Sequence, residues 1–155
     1  MKASDFAQLV PDSCSAVLDA MYFTTVLETS NSATLPKDSS MDAQDLAFSL
    51  RFAGDISGIF GLHLGPATAS ALASNFLGDN ESDLLPADVA EVVGELANMF
   101  CGSILSRIEG VGTFDLTHPM PLLALPSLSS EDAIVSTLDT DSGAITTWVI
   151  VEGTA

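Results

Sequence analysis

Apolar and polar positions are most sharply sorted over residues 88–109, DVAEVVGELANMFCGSILSRIE. On a helix turning about 100° per residue, Val92, Val93, Leu96, Met99, Phe100, Ile104 and Leu105 cover most of the surface. What remains is one polar line, with Glu91, Glu95, Asn98 and Gly102 inside roughly 60°. A solvated face would be broader and would carry lysine or arginine. This line carries neither, so it reads as a site on a largely buried helix.

The rest of the chain divides by the same logic. From residue 4 to about 27, Phe6, Val10, Cys14, Val17, Leu18 and Met21 share one helical face. Pro11 interrupts it, so either the helix kinks there or a second helix starts with Pro11 in its first turn. Residues 30–40 are polar and read as a loop. Residues 44–53 and 57–65 alternate apolar and polar around Gly54-Asp55, which predicts an antiparallel hairpin. Pro66 opens and Gly78 closes a helix over 66–77. An acidic loop, 79–85, leads into the long helix, and Gly110 is its expected stop. Strand-like runs follow at 112–117, 122–125, 133–138 and 144–151, the last two joined by the turn signal DTDSG. The expectation is one α+β domain spanning 1–155, with helices packed on a mainly antiparallel sheet of about six strands.

Composition narrows the chemistry. Hydrophobic residues make up 47% and charged ones 16%, which suits a packed core rather than disorder. Four basic residues stand against 21 acidic ones, a formal charge of −17. Nucleic acid and anionic membrane surfaces are therefore excluded as expected partners, because both are bound by neutralising phosphate. Cys14 and Cys101 sit in apolar helical patterns and read as reduced core thiols. His63 and His118 are isolated, so no metal-ligand spacing exists and no metal is expected. The N-terminus has no apolar signal core and no run approaches about 20 apolar residues, so the cytoplasm is the expected compartment.

Glu95 and Asn98, three residues apart, project side by side. A carboxamide both accepts and donates, so it can hold a water in one orientation. Phosphoryl transfer to water needs mainly such positioning and charge compensation. The pair has no nucleophilic triad, phosphate loop or metal cluster beside it, so the other half of an active site would arrive on a substrate protein. Plainer readings stand beside this one. Glu91 and Glu95 could be ordinary surface acids, Asn98 a carboxamide bonding a neighbouring loop, and Gly94 a close-packing point against another helix. Gly102, on the polar line, could instead give clearance to a partner.

The full pattern is Glu91-x3-Glu95-x2-Asn98-x22-Pro121. It resembles the signature of CheC/CheX-type chemotaxis phosphatases, in which an acid or serine, Glu, Asn and Pro recur at these spacings. GDISG at 54–58, ALASNFLG at 71–78 and ELANMFCG at 95–102 add to the resemblance, which covers roughly residues 44–125. Glu91 departs from it, standing where Asp or Ser is usual. A second Glu-x2-Asn at Glu28 and Asn31 has Gly54 at the proline position and reads as a chance match.

The resemblance implies a CheC-like fold and a phosphatase acting on a phosphorylated, CheY-like response-regulator receiver. It implies that Glu95 pairs with a lysine of the receiver and that Asn98 enters its pocket and orients the attacking water. Glu91 and Gly102 would contact the partner, and Pro121 would be structural. No cofactor of the chain's own is implied; Mg²⁺ would reside on the receiver. A single motif copy is similar to the CheX branch and implies a homodimer joined through an edge strand, with one site per subunit. The alternative is a non-catalytic receiver-binding or flagellar-switch-like module of the same fold.

Overall fold

The computed structural model describes residues 2–32, 41–108, 112–126 and 133–152. The hairpin predicted around Gly54-Asp55 forms from β2 (Leu46–Ala53) and β3 (Ser57–Leu64), with Leu50 opposite Phe60. A second hairpin pairs β6 (Ala133–Thr140) with β7 (Gly143–Glu152). Its turn needs Gly143, whose φ of 124° is disfavoured for residues with a side chain. A Cβ there would also overlap Thr68 Oγ1.

These hairpins join β1 (Val26–Ser32), β4 (Asp115–Leu116) and β5 (Met120–Pro121) in one antiparallel sheet of seven strands. The order is β1-β6-β7-β3-β2-β4, and β5 also pairs with β2. The sheet therefore has one strand more than the sequence suggested. Two strands are new, β5 and β1, and β1 falls where the pattern suggested the end of a helix and the start of a loop. Glu28 and Asn31 lie in this strand, so the second Glu-x2-Asn is not on a helix. The expected strand over 122–125 does not form. Leu122 and Leu125 instead pack on Val135 and Trp148 of β6 and β7, while Pro121 itself is in a strand.

Three α-helices are present among the described residues: α1 (Leu9–Met21), α2 (Pro66–Leu77) and α3 (Pro86–Ser106). A short 3-10 turn, Ala3–Phe6, precedes α1. Pro11 lies in the first turn of α1, so the helix-start alternative holds and no kink is needed. α3 ends at Ser106, where the Arg107 N–H bonds the Ile104 carbonyl. Arg107 and Ile108 are already outside the helix, while the expected end at Glu109 and the stop assigned to Gly110 lie outside the described residues, as do residues 33–40 of the expected loop.

α3 is the centre of the core. Val93, Leu96, Ala97 and Phe100 are fully buried between α1, α2 and the sheet, and Phe100 meets Phe60 edge-on at 6.4 Å. Burial of side chains this size stabilises by about 1.5–3 kcal/mol each. Cys14 and Cys101 are both buried and free, and burial pushes the Cys101 thiol up to about 12. By length and hydropathy α3 could cross a membrane, contrary to the reading that no run approached that limit. Here its apolar surface faces the protein core.

Candidate functional site

The polar line on α3 owes its position to this burial. Leu96, Ala97 and Phe100 hold the helix against the core, so the opposite edge is left outward. Glu91 and Glu95 are exposed and Asn98 is half-buried. The helix starts with Pro86, and the Asp88 carboxylate accepts the Leu85 N–H at 3.3 Å, which suits the positive end of the helix dipole.

Glu91 and Glu95 form a ridge between two hollows. On one side lies a cleft of about 440 Å³, lined by Glu91, Gly94, Glu95 and Asn98 and walled by residues 116–119. On the other lies a groove of about 240 Å³, lined by Phe76, Leu77, Asp88 and the same two acids. Gly94 lets the helix approach the sheet: a Cβ there would sit 3.3 Å from Phe48 Cε1. Its packing neighbour is thus a strand of the sheet, not another helix.

The cleft's second wall is tied at both ends. The Thr117 N–H donates to the Arg51 carbonyl at 2.9 Å, and the Arg51 N–H donates to Thr117 Oγ1 at 2.8 Å. Beyond the wall, Pro121 pairs with Phe48, and the Leu122 N–H bonds the Ala47 carbonyl at 2.8 Å. Proline lacks an N–H and is tolerated on such an edge. Pro121 therefore lies on the sheet edge just beyond the wall, outside the cleft. Gly102 also lies outside it, in a separate hollow with Leu105, Ser106 and Phe114, and a Cβ there would meet nothing within 4 Å.

The wall carries two side chains that the sequence did not single out, Thr117 and His118. Their only signal was the fixed spacing from Asn98 to Pro121, which brings the chain back to the helix. Among the described residues no hydrogen bond engages the Asn98 carboxamide and no ion pair reaches Glu91 or Glu95. The reading of Asn98 as a carboxamide bonding a neighbouring loop therefore has no support in the described residues. Beneath the ridge, Tyr22 is buried, stacks on Phe76 at 4.9 Å and points its hydroxyl at Met99 Sδ, 3.7 Å away. Burial, aided by the Glu95 charge, raises its phenol well above the ordinary range. Among the described residues no three His, Cys, Asp or Glu side chains converge to hold a metal.

The arrangement presents an amide and two unpaired carboxylates to whatever enters the cleft. Over residues 47–134, more than half its length, the chain matches the family described as "Chemotaxis phosphatase CheX". The chain belongs to the CheX family. Solved structures with this fold include a chemotaxis protein CheX from Desulfovibrio desulfuricans, with a TM-score of 0.74 and 19% identity, covering 96% of this chain and 99% of that one. A CheX from Borrelia burgdorferi, solved with CheY, BeF3 and Mg²⁺, superposes with a TM-score of 0.71 at 18% identity, covering 96% and 98%. A CheC-like protein from Shewanella sp. PV-4 gives 0.72 at 21% identity, covering 96% and 98%. At these identities the likeness is one of fold. No curated protein matches this CheX-family chain by sequence.

Proposed function

We propose that this CheX-family chain hydrolyses the aspartyl phosphate of a CheY-like response-regulator receiver. The observation that carries the reading is the unengaged Asn98 carboxamide, half-buried in the cleft one turn along from exposed Glu95. In this reading Glu95 pairs with a lysine beside the receiver's phosphoryl group, and Asn98 enters the pocket and fixes the attacking water. The bond from water oxygen to phosphorus forms as the bond from phosphorus to the aspartyl oxygen breaks. Inorganic phosphate and a free carboxylate result. Mg²⁺ belongs to the receiver and supplies charge compensation there. Glu91 and Gly102 contact the partner at either end of the line, and Pro121 secures the wall. The working unit is a cytoplasmic homodimer with one site per subunit, joined through an edge strand. β1 is one outer strand of the sheet and supports that choice.

The test follows phosphate loss from a phosphorylated receiver with Mg²⁺ present, beside a binding measurement on each variant. Asn98→Ala should keep the fold and most binding while turnover falls roughly 10²-fold or more, the cost of a misplaced nucleophile. Glu95→Ala should weaken both docking and turnover, because the lysine loses its partner. Glu91→Ala should do less than either. Unchanged turnover in Asn98→Ala would sink the mechanism and favour a non-catalytic binding module.

A further inference from the structure

The line from Glu91 to Gly102 spans about 16 Å of helix and offers only four narrow side chains. A specific interface buries roughly 800 Å² on each partner and draws its strength from apolar anchors at its centre. The line alone supplies neither area nor anchor. The groove on the far side of the acids adds apolar side chains beside it. Leu77, 43% exposed, lines it together with Phe76, Glu91 and Glu95. Phe76 stacks on Tyr22, and from there the chain presents Met21, 45% exposed, and Phe23, 77% exposed.

Phe23 is out of place by two independent measures. It has a φ of 50°, the one positive value among the described non-glycine residues. It follows the end of α1, where the Thr24 N–H bonds back to the Leu18 carbonyl and the chain leaves the helix. Helices are usually closed at such a point by glycine, since a bulky residue is strained there. A phenylalanine in a glycine position, with its ring turned to solvent, has no account in the core. Strain of this kind collects at functional sites.

We infer that Met21, Phe23 and Leu77 form an apolar docking shelf for the receiver that the Glu95/Asn98 line addresses. This inference rests on the proposed function and adds the surface that provides its affinity. The occupant is the receiver because Leu77, at one end of the shelf, lines the same groove as Glu91 and Glu95, so a body seated in that groove against the acids also meets Leu77. The shelf anchors and the line acts, so the two should separate in kinetics.

The experiment compares wild type, Phe23→Gly, Leu77→Asn, the double variant and Asn98→Ala. The probe is a panel of CheY-type receivers from the same genome, loaded with Mg²⁺ and beryllofluoride for binding and phosphorylated for turnover. The double variant should lose about tenfold or more in affinity. Its kcat at saturating receiver should match wild type, and Phe23→Gly should melt no lower than wild type because it relieves the left-handed strain. Asn98→Ala should show the reverse, with affinity kept and kcat lost. Affinity within twofold of wild type in the double variant, with Asn98→Ala inactive, would overturn the shelf and leave the function standing. A wild-type protein that binds no receiver would overturn both. Light scattering that shows the double variant converting a dimer to a monomer would reassign the shelf to self-association and overturn the inference.

Discussion

Replacing Gly102 with alanine should stabilise the free protein. Glycine inside a helix costs about 0.8–1 kcal/mol relative to alanine through backbone entropy. At this position nothing opposes the gain, since a Cβ would meet no atom within 4 Å. Gly102 stands four residues before the helix ends at Ser106, where fraying trims the benefit, so about 0.5–1 kcal/mol is expected. For a chain of 155 residues that is a rise in melting temperature of about 1–4 °C. Gly94→Ala is the internal control. It has the same entropic gain, but its Cβ would lie 3.3 Å from Phe48 Cε1, and the ring would have to yield by a few tenths of an ångström in a packed core. Thermal melts of both variants should place Gly102→Ala above wild type and Gly94→Ala level with it or below. Gly102→Trp should also fold, yet lose more than tenfold in receiver affinity if the open space serves the partner. A melting temperature for Gly102→Ala below wild type would refute the steric argument. Wild-type affinity in Gly102→Trp would remove the clearance role.

The pair His63–Asp45, 2.9 Å apart, predicts an acid-sensitive contribution to stability. Burial raises the Asp45 carboxyl, but the His63 hydrogen bond, the Asp42 N–H and the His63 charge together hold it below its ordinary value. A carboxyl depressed in the folded state stabilises above its unfolded value of about 3.9, and that contribution is lost as pH falls through the folded value. The stability gap between wild type and Asp45→Asn in urea melts should therefore narrow from pH 5 to pH 2.5; a constant gap would refute it. Docking should not be steered by net charge: at −17, the chain repels a receiver that is itself acidic, and salt screens that repulsion beyond about 8 Å at physiological strength. Moderate salt should strengthen binding or leave it unchanged, and a steep loss would point to a basic partner surface.

Much of this architecture was legible where burial alternates with exposure. The β2–β3 hairpin has one face in the core, and α2 is bounded by Pro66 and Gly78 as its sequence suggests. β1 was not legible because almost all of its residues are exposed; no apolar rhythm marks it, and its pairing with β6 is set by the fold. Leu122–Leu125 misled in the opposite sense, since apolar residues that cover Trp148 need not be a strand. At the site, Glu91, Glu95 and Asn98 share one helix and one face, so helical spacing brought them together. Thr117 and His118 reach the cleft only through tertiary return of the chain. The shelf was hidden for another reason: an exposed Phe23 in a left-handed turn looks in sequence like the continuation of an apolar helix.

Because the acids and the amide lie along one helix, the site has a direction and a graduation. A partner seated one turn, about 5.4 Å, toward the N-terminus would meet Glu91 in the place of Glu95. It would then meet Gly94 in the place of Asn98. Such a slipped complex could keep its charge contact, yet it would offer the phosphoryl pocket a bare backbone with no group to hold a water. Under the proposed mechanism, the repeat of glutamate at one turn's spacing would tolerate misregistered docking, while the single asparagine would leave only one register able to react.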